Sequence, residues 1–150
     1  MAADFWSIEW NDWMTVGIPE IDEEHKHCIF LINEFNRSII KKMKRTEIKK
    51  RIRLIINDAK LHFVSEEKIL KKYKYPDIKD HVRKHAQVLK ELRNVETMFK
   101  PPKSFNPEYM NSALRMKIIL IDHILNDDFK YAIFCKKSRD AITASKADAL

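Results

Sequence analysis

The stretch TEIKKRIRLIINDAKLHFVSEEKILKKY, residues 46–73, decides the fold. Its apolar residues return every three or four positions, which is the period of an amphipathic α-helix. The repeating side consists of Ile48, Ile52, Ile55, Ala59, His62, Phe63, Glu66, Leu70 and Tyr73. His62 and Glu66 are therefore predicted to point into the protein together, four residues apart on the apolar side of a helix.

Three more helices are predicted around this one. The first begins at Pro19 to Asp22, the third follows the break at Tyr75-Pro76-Asp77, and the fourth runs from Asn106-Pro107 to about residue 137, after a loop at 100–104. Four helices with short connections favour an all-α fold, an up-down-up-down four-helix bundle. We expect residues 1–18 to form an aromatic-rich, extended N-terminal arm, the domain to span 1–138, and 139–150 to be a loose tail.

The composition excludes several classes of protein. The 150 residues include one glycine, five prolines and 34% charged residues, which argues against a β-sandwich or a glycine-rich nucleotide loop. No apolar run is long enough to cross a membrane, and no export leader is apparent. Cys28 and Cys135 are too few for a disulfide framework. These features predict a cytoplasmic protein with reduced thiols.

The histidines form an ordered set. His25, the pair His62 and Glu66, the pair His81 and His85, and His123 with an acidic residue each belong to a different helix. Alternating helix directions bring all four groups to a similar height in the bundle interior. Seven such ligands exceed what one tetrahedral zinc ion uses, and they suit two octahedral ions that share carboxylates. Helical spacing pairs His123 with Asp127 rather than with Asp128, so the spacing alone leaves this ligand open.

Five segments carry a resemblance to a known family: WNDWMTVGIPEIDEEH at 10–25, HFVSEE at 62–67, YP at 75–76, HVRKH at 81–85 and HILNDDFKY at 123–131. They resemble the hemerythrin family, in particular its single-domain bacterial members. The resemblance implies two iron ions (Fe2+/Fe3+) with an oxo or hydroxo bridge. It assigns the metal ligands, and Leu120 as the apolar lining of the oxygen pocket. The implied ligands are His81, His85 and His123 for one iron, His25 and His62 for the other, and Glu66 and Asp128 as bridges.

The resemblance implies reversible dioxygen binding for carriage, storage or local supply. Two alternatives use the same irons: an oxygen- or redox-sensing interaction protein, and a di-iron enzyme that detoxifies peroxide or nitric oxide. No general acid or base is evident beyond the ligands, so we expect a binding protein rather than an enzyme.

The basic run KKMKRTEIKKRIR at 41–53 is interpreted either as a solvated hairpin end or as a surface for an acidic protein or an anionic surface. It lacks interleaved aromatic residues, so no nucleic-acid partner is expected. We expect a monomer or a weak homo-oligomer.

Overall fold

A computed structural model describes residues 7–98 and 107–148. Its helices are α1 (Pro19–Ile40), α2 (Arg45–Lys72), α3 (Ile78–Met98), α4 (Pro107–Asp122) and α5 (Phe129–Asp148), with a π-helical segment, His123–Asp128, that joins α4 to α5. Each helix packs against its neighbour in the chain, and α1 also packs against α4, which closes the bundle. The all-α four-helix bundle is confirmed. The loop expected at 100–104 lies outside the described residues. Within the described residues, no helix is long and apolar enough to cross a membrane.

The bundle interior consists of two apolar clusters. The larger one lies toward the α1–α2 connection and includes Phe35, Ile55 and Leu92. The smaller one lies toward the α2–α3 connection and includes Ile21, Leu70 and Tyr131. Along each helix, the buried histidines and carboxylates come between the residues of the two clusters. The polar residues therefore form one layer across the bundle, covered by apolar residues on both sides.

The N-terminal arm packs along the bundle and contains one short 3-10 turn, Asp12–Met14. Asn33 on α1 holds the arm in place through two hydrogen bonds. Its side-chain amide accepts one from the Ile8 N–H and donates one to the Ile8 C=O, each at 2.9 Å. Val16 and Ile18 are buried in the smaller cluster, whereas Trp13 is 58% exposed. The end of the bundle is thus closed by aliphatic residues of the arm and not by Trp13, and Trp6 lies outside the described residues.

The C-terminal helix is longer than the sequence suggests. We expect the fourth helix to end near residue 137, but α5 continues to Asp148, so residues 139–148 are helical. The physical reason is local, because this segment has several alanines, the strongest helix formers, and no glycine or proline to end the helix. A packed domain that ends near residue 138 stays a prediction.

Helices α1 and α2 end in the same way, each with a lysine in the left-handed region where glycine is usual. After α2, the Tyr75 N–H donates to the Leu70 C=O and the Lys74 N–H donates to the Lys71 C=O, both at 3.1 Å, which is a Schellman motif. Lys74 has φ 57°, and after α1 Lys42 has φ 50°. A side chain with a Cβ is strained there. The motif holds because Tyr75 and Leu70 are both buried in the smaller cluster.

Lys74→Gly should therefore stabilise the protein, because glycine adopts a positive φ without strain. We expect the free energy of unfolding to rise by about 1 kcal/mol and the melting temperature by about 3 °C, measured by circular dichroism. Lys68→Gly, at an exposed position inside α2, is the matched control and should cost about 1 kcal/mol. A neutral or destabilising Lys74→Gly would refute the assignment of strain to this position.

Candidate metal centre

Five imidazoles and two carboxylates meet in the polar layer. They are all buried: His25, His62, Glu66, His81, His85, His123 and Asp128. Glu66 and Asp128 have no exposed surface, and the most exposed of the seven, His62, has 7%. Their ligand atoms form two groups, and the atoms of each group lie within 4.8 Å of one another. One group has three imidazoles and the other has two, while Glu66 and Asp128 belong to both.

The two shared carboxylates each divide their oxygens between the groups. On Glu66, Oε1 lies 2.6 Å from His81 Nε2 and 3.0 Å from His85 Nε2, whereas Oε2 lies 3.2 Å from His62 Nε2. On Asp128, Oδ1 lies 3.1 Å from His123 Nε2 and Oδ2 lies 3.1 Å from His25 Nε2. One oxygen of each carboxylate therefore faces the three-imidazole group and the other faces the two-imidazole group. This is the arrangement of carboxylates that bridge two metal ions.

The π-helical segment explains how Asp128 reaches this position. In a π-helix the backbone hydrogen bond runs from i to i+5, so residues five apart lie on nearly the same side. His123 and Asp128 are five apart and both lie in that segment. Asp127, the partner that α-helical spacing favours, instead accepts a hydrogen bond from His123 Nδ1 at 2.9 Å. The two neighbouring aspartates thus contact the two nitrogens of a single imidazole.

The polar atoms of the cluster fit metal ions at the centre of each group. Among the described residues, His123 Nε2 and both Asp128 oxygens are buried without a hydrogen-bond partner, and all three face other ligand atoms of the cluster. Buried polar atoms in folded proteins are nearly always satisfied, so such a concentration points to a missing ligand. His25 Nε2 and His62 Nε2 lie 3.2 Å apart. Two nitrogens bound at right angles to one ion, each at about 2.1 Å, lie about 3 Å apart.

The charges of the cluster support the same conclusion. Burial alone would raise the pKa of Glu66, but hydrogen bonds from His25, His62, His81 and His85 lower it well below its ordinary value. Burial would lower the pKa of His62, but hydrogen bonds to Glu24 and Glu66 raise it to about 10. In the metal-free protein, this imidazole would therefore carry a proton at neutral pH. A cation that binds between these groups takes the place of protons.

Three carboxylates outside the cluster orient the imidazoles. Glu24 accepts a hydrogen bond from His62 Nδ1 at 2.6 Å, Glu67 accepts one from His85 Nδ1 at 2.7 Å, and Asp127 accepts one from His123 Nδ1. Each bond requires the proton on Nδ1 and so directs the Nε2 lone pair inward. Such partners set the orientation and the basicity of metal-binding histidines.

Sequence reasoning missed this set of outer carboxylates. Helical spacing assigns no role to Glu67, which follows the buried Glu66, yet its carboxylate bonds to His85 on the neighbouring helix. The available signal was a pattern of acidic doublets: Glu23-Glu24, Glu66-Glu67 and Asp127-Asp128. The neighbour of a buried helical residue lies at the rim of the buried side. There it can reach the outer nitrogen of an imidazole, which lies on another helix for Glu24 and Glu67 and in the same segment for Asp127.

Two aromatic side chains complete the surroundings. Phe63 stacks on His85 with ring centroids 3.9 Å apart and an angle of 7° between the planes. The Tyr131 hydroxyl donates a hydrogen bond to Glu66 Oε2 at 2.7 Å. Burial and the charges of Asp128 and Glu66 raise the pKa of Tyr131 well above its usual value, so it remains a donor. Leu120 is 3% exposed and belongs to the larger apolar cluster. Its place in an oxygen pocket stays a prediction.

Comparisons with known proteins agree with this geometry. The model of the hemerythrin HHE cation binding domain matches residues 16–132. A bacteriohemerythrin of Stenotrophomonas maltophilia is 26% identical over 125 residues, which cover 83% of this chain and 79% of that protein. A bacteriohemerythrin of Pseudomonas aeruginosa is 23% identical over 141 residues, 94% of this chain and 90% of the relative. A hemerythrin-like protein of Naegleria gruberi is 24% identical over 126 residues, with 83% and 90% coverage.

The division of roles between the two aspartates yields a prediction. Asp128→Asn should reduce the capacity for Co²⁺ from two ions to at most one per chain, because it removes a shared ligand. Asp127→Asn should keep two ions and weaken their binding about 10- to 100-fold, because it removes only an orienting bond. Anaerobic titration with Co²⁺, followed by absorption, measures both. The reverse pattern, with loss in Asp127→Asn and full capacity in Asp128→Asn, would show that the assignment is wrong.

Proposed function

The chain belongs to the hemerythrin family, and on that premise we propose that it binds dioxygen reversibly at two iron ions held between Glu66 and Asp128. The observation that carries the proposal is the division of the carboxylate oxygens between three imidazoles on one side and two on the other. An iron pair supplies the electrons that dioxygen takes up on binding and returns on release. Imidazole and carboxylate oxygen are suitable ligands for iron in this role.

The number of donors assigns the two sides different tasks. His81, His85 and His123 would hold one iron, His25 and His62 would hold the other, and Glu66 and Asp128 would bridge the pair. An octahedral ion needs six donors, so the two-imidazole side has one position more to offer than the three-imidazole side. Dioxygen would enter on the two-imidazole side. The roles proposed for these seven residues are those that the family resemblance implies.

The chain's own residues favour binding over turnover. The polar layer is covered by apolar clusters on both sides, which keeps water away from the irons and slows their oxidation. Among the described residues, the outer acids Glu24, Glu67 and Asp127 are each hydrogen-bonded to an imidazole. The pKa of Asp127 is lowered by its hydrogen bonds with His123 and Lys84, so it carries no proton to donate. Reduction of dioxygen or peroxide needs such a proton source, and a carrier does not.

Repeated oxygenation tests the proposal. Iron-loaded, reduced protein should gain a visible absorption on exposure to dioxygen and lose it when dioxygen is removed, over many cycles. His25→Ala should abolish this response, because it removes one of the two imidazoles on the binding side. His27→Ala is the matched control, since His27 is exposed and pairs with Asp58. It should behave like the wild type.

Two outcomes would count against oxygen carriage. A fully iron-loaded protein that shows no absorption change with dioxygen would end the proposal. Loss of the reduced state at the first exposure, together with rapid consumption of added peroxide or nitric oxide, would favour a detoxifying enzyme.

A further inference from the structure

One end of the bundle carries a net positive charge as large as that of the whole molecule. We define this basic end as residues 41–53, which connect α1 to α2 and form the first turns of α2. It contains eight lysines and arginines and one acidic residue, Glu47, whereas the rest of the chain has 21 basic and 21 acidic residues. The net charge of +7 therefore belongs entirely to this end, and the remaining bundle is neutral.

The charges of the basic end are accessible and largely unpaired. Within the part of the chain that the structure describes, no acidic group lies within ion-pair distance of Lys41, Lys44, Arg45, Lys49 or Lys50. Four of these five residues are exposed, and Lys49 is half-buried. Glu47 is paired with Arg51 at 3.1 Å and so offers no free negative charge. Helix α2 begins here without a side-chain cap, so its positive dipole end adds to the charge.

Apolar side chains accompany the basic ones on the same face. An open groove between α1 and α2, with a volume of about 260 Å³, is lined by Phe30 and Leu54 together with Lys50 and Arg51. Phe30 is 56% exposed and Leu54 is 46% exposed. The acidic residues of the groove, Glu34 and Glu47, are both paired with arginines. Lysines beside exposed apolar side chains are typical of surfaces that bind the interface of an anionic bilayer.

We propose that this protein docks through its basic end on an anionic membrane surface. A fluid, negatively charged surface adapts to a convex cluster of flexible lysines and needs no built pocket. The apolar residues next to the cluster favour a bilayer over a nucleic acid. A bilayer interface offers an apolar region that these side chains can enter, whereas the phosphate backbone of a duplex does not. Each lysine near an anionic bilayer strengthens binding about fivefold, so four or five of them together strengthen it by roughly three orders of magnitude.

Docking in this way orients the metal centre. His62 follows Arg45 by 17 residues in α2, which places the centre about 25 Å from the tip of the basic end. The metal layer and the end closed by the N-terminal arm would then face away from the membrane. The surface is separate from the metal ligands, so docking does not depend on the proposed function and should be the same with and without metal.

Sedimentation with vesicles tests the proposal on the full chain. The protein should sediment with vesicles of equal parts phosphatidylserine and phosphatidylcholine at low salt, and stay in solution with phosphatidylcholine alone. Added salt should release it, because screening shortens the range of the attraction. The variant Lys41→Gln/Lys44→Gln/Lys49→Gln/Lys50→Gln should lower the vesicle partition roughly 600-fold at low salt.

A variant at the opposite end of α2 is the matched control. Lys68→Gln/Lys71→Gln/Lys72→Gln/Lys74→Gln removes four exposed lysines and lowers the net charge by the same amount. It should change the partition less than about threefold, because these residues lie far from the proposed contact. Equal losses in the two variants would overturn the proposal, since overall charge rather than the basic end would then be responsible.

Lipid and nucleic acid are distinguished by Leu54→Ser. This variant should weaken vesicle binding about tenfold, because the side chain no longer enters the bilayer interface. Two results together would assign the basic end to nucleic acid. The protein would bind duplex DNA at salt concentrations that release it from vesicles, and Leu54→Ser would change neither DNA binding nor vesicle binding. That result, or no sedimentation with anionic vesicles, would refute membrane docking.

Discussion

Two carboxylates without any exposed surface lie at the centre of an apolar bundle, and the rest of the structure compensates for their charge. Burial of an isolated carboxylate costs several kcal/mol even after the protein relaxes. Glu66 and Asp128 are surrounded by five imidazoles. One comes from α1, one from α2, two from α3 and one from the π-helical segment after α4. Three of these imidazoles, those of His62, His85 and His123, are in turn hydrogen-bonded to carboxylates nearer the surface. Positive charge at the centre, as protons or as metal ions, is therefore a requirement of this fold.

The same requirement explains the layered interior. The cluster must stay dry for its electrostatic interactions to be strong, and apolar clusters above and below provide this. Tyr131 joins the smaller apolar cluster to the polar layer, because its ring is buried there and its hydroxyl bonds to Glu66. Arm residues Val16 and Ile18 seal the nearer end. The distant basic end takes no part in this arrangement.

Much of the fold and the site could be predicted from the sequence, because apolar period and histidine position are local signals. The starts of α3 at Ile78 and of α4 at Pro107 agree with the prolines in the sequence, and α2 begins at Arg45, next to the start of the apolar repeat at Thr46. The π-helical segment could not be predicted from spacing. Nothing in HILNDD favours a π turn locally. The π turn occurs where Asp128 contacts both imidazole groups, so it depends on contacts between helices. Family resemblance selected Asp128 where helical geometry favoured Asp127. The role of Glu67 depended on a contact between helices, which a single helix does not encode.

We propose that Glu66 and Asp128 bridge two iron ions in unequal surroundings. Crystals of the iron-loaded protein, measured at the iron absorption edge, test it most directly. The anomalous difference map should contain two peaks, both next to Glu66 and Asp128, one bounded by three imidazoles and the other by His25 and His62. A single peak in fully loaded protein, or two peaks that do not share both carboxylates, would contradict it.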